Sequence, residues 1–253
     1  MNRLMQLLAD NRKVPGREFT VRAMEDDEAE ILMYDAIVDS ALEAEYWGGV
    51  APEPFVAQLR EITAGTIHLR INSPGGSVFG ARAIETALRE HKARVVVHID
   101  GLAASAATFI AMAGDEVVMS KGSMFMIHNA WTFAYGNAAE LKNTAALLDK
   151  IDGTLVATYA DRTGQKPEQV ADWMAAETWF TADEAVTHGF ADRLAEAEPK
   201  TGAKASAWSL KAYLNAPAQP APEPTPAPPA AATEEHRDRQ QQRMRLLARI
   251  PIV

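Results

Sequence analysis

The chain contains no cysteine. Disulfides, a thiolate nucleophile and thiolate metal sites are therefore excluded, and the composition suits a reducing compartment. A surplus of positive charge is missing too. The 25 Lys and Arg stand against 34 Asp and Glu, a formal net charge of −9, so a basic face for nucleic acid is not expected. No apolar window approaches the length of a membrane span. The patch Leu4 to Ala9 is cut short by Asp10, which makes residues 1–13 a poor signal peptide. The phosphate-binding patterns G-K-[ST] and G-x-G-x-x-G are absent, and no internal repeat is evident. These absences describe a soluble, cytoplasmic protein with no nucleic-acid or membrane partner, and no metal or cofactor is expected.

What is present is a substantial core: 47% of the residues are apolar. Residues 1–20 are polar around Pro15-Gly16 and read as a flexible arm. From 21 to 197 strand-like and helix-like patterns alternate, which argues for an α/β fold with a largely parallel sheet. Strands are expected at Ile31 to Val38, Thr66 to Asn72 and Arg94 to Ile99, and Glu43 to Val50, around Trp47-Gly48-Gly49, reads as a turn. Helices are expected from Pro54, over Val78 to Glu90, and in one long run from Ala138 to Arg162 that stops at Thr163-Gly164. Thr181 reads as an N-cap, with its helix stopping at His188-Gly189. Residues 198–232 read as a linker, mostly Pro and Ala from Asn215 on, and 233–253 as a charged tail expected to be disordered.

The chemistry centres on Val95 to Ala130. An apolar β-branched run ends at Asp100-Gly101, small residues flank Ser105, and a helix-like run follows. A strand, a tight turn, a serine and a helix expose a hydroxyl beside free N–H groups at a positive dipole end. Of the six histidines only His128 lies at a strand end followed by a loop, and a neutral imidazole there can take and return a serine proton. Gly75-Gly76 follow a strand end and Pro74, where glycine lets backbone N–H groups approach a developing oxyanion. A third, acidic group would hold the imidazole tautomer. Asp149, Asp152, Asp161, Asp172, Glu177 and Asp183 follow His128 in sequence. Glu177, in the apolar context A-A-E-T-W-F-T-A, is the carboxylate least readily assigned to a solvated helix face or a helix cap.

Four motifs stand in the order and at the spacing of the ClpP serine peptidases: I-N-S-P-G-G (71–76), G-L-A-A-S-A-A (101–107), M-I-H-N (126–129) and F-T-A-D-E-A-V-T-H-G-F-A-D (180–192). The chain resembles that family over roughly residues 30–195. The resemblance implies a ClpP/crotonase-like fold of stacked ββα units with a long handle helix. It implies Ser105 as nucleophile, His128 as general base, and Gly76 and Ala106 as backbone donors of the oxyanion hole. It puts Glu177 at the place of the family's aspartate, with Asp172 as second choice. It further implies rings of identical subunits, heptamers or tetradecamers, with the segment after His128 resembling the strip that aligns an extended substrate. The loop A-W-T-F-A-Y-G-N (130–137), the segment E-Y-W-G-G-V-A-P-E-P-F (45–55) and the C-terminal extension are unlike the housekeeping members. They resemble the ClpP-related head-maturation proteases of tailed phages. That implies an ATP-independent endopeptidase trimming capsid and scaffold proteins in the host cytoplasm or inside immature heads. The alternative is a chambered peptidase fed by an AAA+ unfoldase. More distant alternatives are a crotonase-like acyl-CoA enzyme and a non-catalytic assembly protein.

Overall fold

A computed structural model describes residues 3–196 and 208–217. Its centre is a parallel stack of β2 (Glu28–Tyr34), β3 (Thr66–Ser73), β4 (Arg94–Ala104) and β5 (Glu116–Met119). Strand β1 (Glu18–Ala23) adds antiparallel to β2 at one edge, and the two-residue β8 (Arg193–Leu194) adds parallel to β5 at the other. The strands follow from the pattern. In β3, Ile67, Leu69 and Ile71 are fully buried on one face, while His68 and Arg70 take the other. Each such apolar side chain contributes about 1.5–3 kcal/mol relative to exposure.

Helices α3 (Pro52–Arg60), α4 (Val78–Glu90) and α5 (Ala106–Ala111) carry Phe55, Leu59, Ile84, Leu88, Phe109 and Ile110 into the same core. Helix α6 (Ala138–Thr163) is long and mostly solvated. Asn137 and Glu140 form a capping box at its start, Gly164 closes it in the left-handed conformation, and only Leu155 and Tyr159 along it are buried. Helices α7 (Pro167–Ala175) and α8 (Ala182–His188) flank β7 (Thr178–Thr181), which pairs antiparallel with β6 (Met124–Ile127). The sheet forks at β4. Val96–Ile99 of that strand pair with β5, and Leu102–Ala104 pair with β6.

Four sequence readings need correction. Of the expected arm 1–20, the described residues 3–20 are not loose: α1 (Arg3–Asn11) and β1 are ordered elements, and Leu7, Leu8 and Asn11 are buried. Residues 208–216 are not linker. They pack against α1 and the β4–β6 end of the sheet, burying Trp208, Leu210, Ala212 and Tyr213, and the compact unit reaches Ala216 rather than ending at 197. The two errors have one cause. The apolar residues of each segment are covered by residues far away in sequence: Leu7 and the 208–216 side chains share one cluster with β4 and β6, and Leu8 packs on Ala36, Val38 and Ala51. Thirdly, Glu43–Val50 is mostly helix: α2 (Ala41–Trp47) starts on the Ser40 hydroxyl and ends at Gly48 with φ 73°. The first expected strand also sits earlier, at Glu28–Tyr34, while Ile37 bridges separately to Val50 and Gly76. The charged tail 233–253 and the Pro/Ala stretch from 218 lie outside the described residues.

Candidate active site

Ser105 follows the last residue of β4 and precedes the first of α5. Its backbone takes φ 53° and ψ −124°, a region that side-chain-bearing residues rarely occupy. The surroundings hold it there. The Ser105 N–H donates to the Met126 carbonyl at 2.8 Å, and its own carbonyl accepts from the Thr108 N–H at 2.9 Å and the Thr108 hydroxyl at 2.5 Å. Thr108 is in turn bonded to the buried Tyr159 hydroxyl, so α6 braces the turn from behind. Ala104, Ala106 and Ala107 are completely buried. Larger side chains at these positions would displace the strand–helix junction.

The second wall is the turn after β3. A Cβ on Gly75 would stand 2.4 Å from the Ala104 carbonyl oxygen and 2.9 Å from the Ser105 Cβ, so only glycine allows this closeness. The bridge between Ile37 and Gly76 uses the Gly75 carbonyl and the Ser77 N–H. By the geometry of a parallel bridge the Gly76 N–H then faces the other way, and it meets no acceptor among the described residues. The Ala106 N–H, first in its helix, is free for the usual reason of helix starts. Gly76 lines the same cleft as Ser105, and Ala106 is its next residue in the chain; unengaged main-chain N–H groups are the kind of donor that can hold a developing oxyanion.

His128 follows β6, and its Nε2 lies 2.7 Å from the Ser105 Oγ. The indole Nε1 of Trp131 donates to the same nitrogen at 3.0 Å. An indole N–H can only donate, so Nε2 is the unprotonated nitrogen and Nδ1 carries the hydrogen. That is the tautomer a general base needs. Burial lowers the His128 pKa to about 3, with the Arg3 charge acting in the same direction. The loop after His128 is irregular rather than strand-like, and it is positioned by α6: the Ala130 N–H donates to Asp152 at 2.7 Å. Asp152, one of the acids singled out in the sequence, thus serves the loop and not the imidazole.

Glu177 is buried and sits at φ 50° just before β7. Its carboxylate does not meet His128. It accepts the N–H of Leu214 at 3.0 Å and of Asn215 at 2.6 Å. Asp172 is exposed on α7 and bonds to neither member of the Ser–His pair. Among the described residues no carboxylate accepts from His128 Nδ1. What the sequence reading missed is Tyr213. Its ring stands edge-on to His128 at 5.4 Å, and its hydroxyl donates to the Pro74 carbonyl. A Pro/Ala-rich neighbourhood concealed it; the cluster Trp208, Leu210 and Tyr213 was the available signal.

A cleft of about 480 Å³ opens beside Ser105, His128 and Gly76. Its far wall is apolar, from Phe109 on α5 to Leu148, Ile151 and Leu155 on α6, and the loop residues Phe133 and Tyr135 border it. Among the described residues no group of three His, Asp or Glu could hold a metal ion, and no helix is long and apolar enough to cross a membrane.

A strained serine beside an imidazole and two idle amides is the equipment of acyl-transfer hydrolases. Comparison with known proteins narrows the class. The Clp protease family model matches residues 54–198. The ATP-dependent Clp protease proteolytic subunit of Pleurastrum terricola is 35% identical over 127 residues, 49% of this chain and 65% of that protein. The subunit of Streptococcus agalactiae is 33% identical over 139 residues, 51% of this chain and 68% of that one. Subunit 3 of Rhodococcus jostii is 34% identical over 143 residues, 54% and 71% of the two chains. The chain thus spans about two thirds of the length of these relatives. Among solved structures, a mutant ClpP1 from Listeria monocytogenes superposes with a TM-score of 0.56 at 23% identity, covering 66% of this chain and 91% of that one, which shows the fold. The chain belongs to the Clp protease family, a family of serine endopeptidases.

Proposed function

We propose that this protein hydrolyses peptide bonds through Ser105 as nucleophile and His128 as general base, with the Gly76 and Ala106 N–H groups receiving the oxyanion. The observation that carries this reading is the 2.7 Å contact between Ser105 Oγ and His128 Nε2, made with Ser105 in a strained turn. The imidazole takes the hydroxyl proton as the oxygen attacks the carbonyl carbon. It then gives that proton to the leaving amine, and water repeats the cycle on the acyl-enzyme. A fluorophosphonate probe should label the wild type and leave Ser105→Ala unlabelled. His128→Ala should lower peptide turnover by about 10⁴-fold or more, the scale of triad knockouts. Retention of most activity in His128→Ala would remove the assignment.

The relatives are named as proteolytic subunits of ATP-dependent proteases. This favours a chambered peptidase: identical subunits in a ring, fed with protein by an AAA+ unfoldase. In that case short peptides are cut by the ring alone, and folded substrates only with unfoldase and ATP. A second reading is a phage head-maturation protease acting without ATP on capsid or scaffold. It is favoured by the aromatic loop 130–137 and by the chain from 199 to 253 beyond the family match. Incubation with capsid and scaffold proteins in the absence of ATP, followed by mass mapping of new termini, its own included, separates the two.

A further inference from the structure

Glu177 and His128 are the two groups that a serine peptidase of this kind would join, and one piece of chain meets both. Tyr213 sets its ring edge-on to His128, and the amides of the next two residues hold the Glu177 carboxylate. We propose that residues 208–216 are an intramolecular latch that keeps this peptidase latent by holding Glu177 off His128. The proposal rests on the Ser105–His128 reading given above.

The latch is fastened at three places. At its start, Asn11 of α1 grips Ser209 from both sides: its Nδ2 donates to the Ser209 carbonyl at 3.0 Å, and its Oδ1 accepts the Ser209 N–H at 2.7 Å. Trp208 Nε1 donates to Asn72 at 3.1 Å, at the foot of the turn that carries Gly75 and Gly76. In the middle, Tyr213 fills the space between the rings of His128, Trp131 and Trp179. At its end, Leu214 and Asn215 supply two charge-assisted bonds to Glu177, and the Asn215 amide donates to the Ala176 carbonyl at 2.8 Å.

Two consequences mark the closed state as unproductive. The imidazole has no carboxylate to stabilise the positive charge it gains during attack. Its Nε2 lone pair, which must take the serine proton, is shared with the Trp131 N–H, and Trp131 is itself held edge-on by Tyr213 at 6.0 Å. The outer end of the latch is open to capture. Leu214 is 71% exposed, so a partner or a second copy can lift the segment from that end. Lifting it removes the Tyr213 ring from His128 and both backbone donors from Glu177 in one movement, leaving that carboxylate with only the long 3.5 Å contact from Trp179 Nε1.

The test is the rate at which a fluorophosphonate labels Ser105 in the full-length chain. Tyr213→Ala should label at least roughly tenfold faster than wild type, a part of the about 10⁴ that an orienting carboxylate supplies in serine peptidases. Adding Glu177→Gln to Tyr213→Ala should abolish the gain. The acid limb of the labelling profile should also move up toward neutral pH in Tyr213→Ala, because a nearby carboxylate favours the charged imidazole. Leu214→Pro, which deletes one N–H to Glu177 at an exposed position, should act in the same direction and covers the case in which Tyr213→Ala does not fold. If the folded variants label no faster than wild type, the latch is refuted while the peptidase reading stands. If no variant, wild type included, labels at Ser105, the peptidase reading falls and the latch with it.

Discussion

Ser105 keeps its backbone in a sparsely allowed region held by its neighbours, and Gly75 is the glycine packed directly against it. Gly75→Ala would add a methyl group 2.4 Å from the Ala104 carbonyl at a φ of +86°. The strain alone costs about 1–3 kcal/mol. We expect a lower melting temperature and loss of Ser105 labelling together, and an unchanged pair of values would contradict the geometry. His128 makes a second prediction at this scale. Unfolded, its ring titrates at 6.5; buried in the fold, it titrates at about 3. Between those values the unfolded chain binds more protons, so the stability tied to the neutral ring is complete above pH 6.5 and is lost as pH falls toward 3. On acidification from neutral to about pH 5 the wild type should lose more stability than His128→Gln, by at most about 1.4 kcal/mol per pH unit. Labelling of wild-type Ser105 should meanwhile stay level, since the base remains unprotonated; a midpoint near 6.5 would show an exposed ring instead.

At the scale of elements, what was legible in the sequence is what local pattern determines. The β-branched alternation of Thr66 to Asn72, the N-cap at Thr181 and the stop at Gly164 each depend on residues within a few positions, and the structure keeps all three. The closeness of Ser105 and His128, 2.7 Å apart, was legible for the same reason, each being marked by a strand end. The acid was not. Glu177 has the right neighbours, but its carboxylate is engaged by amides 37 and 38 residues further on, and no local pattern encodes that. Helix α1 and the 208–216 segment were missed together because the surfaces that bury their apolar residues, on each other, on the β4–β6 end of the sheet and on the 36–51 segment, are far away in sequence. Asp152 shows how an element reaches the site from outside it. Removing its acceptor in Asp152→Ala leaves the Ala130 N–H unpaired, with a cost of about 1–3 kcal/mol. We expect the loop after His128 to exchange its amide hydrogens faster while the helix itself keeps its circular dichroism.

For the molecule as a whole, α6 offers a long open surface: it buries only Leu155 and Tyr159 and leaves Leu141 and Leu147 about half exposed. Apolar residues on a long projecting helix are natural contacts for further copies. Native mass spectrometry should give a multiple of seven subunits, as the ring reading requires, and Leu147→Glu should shift the population toward smaller assemblies. A stable, active monomer would rule the ring out. The forked sheet adds a mechanical consequence. Ser105 directly follows β4, which is paired along most of its length, whereas His128 and Glu177 flank β6 and β7, joined to β4 by the Leu102–Ala104 pairing with Met124–Met126 and by the Ser105 N–H bond to the Met126 carbonyl. Ser105 and His128 therefore sit on two branches of one sheet that meet over three residue pairs and the Ser105–Met126 bond, so the spacing of their side chains depends on how that short junction is held.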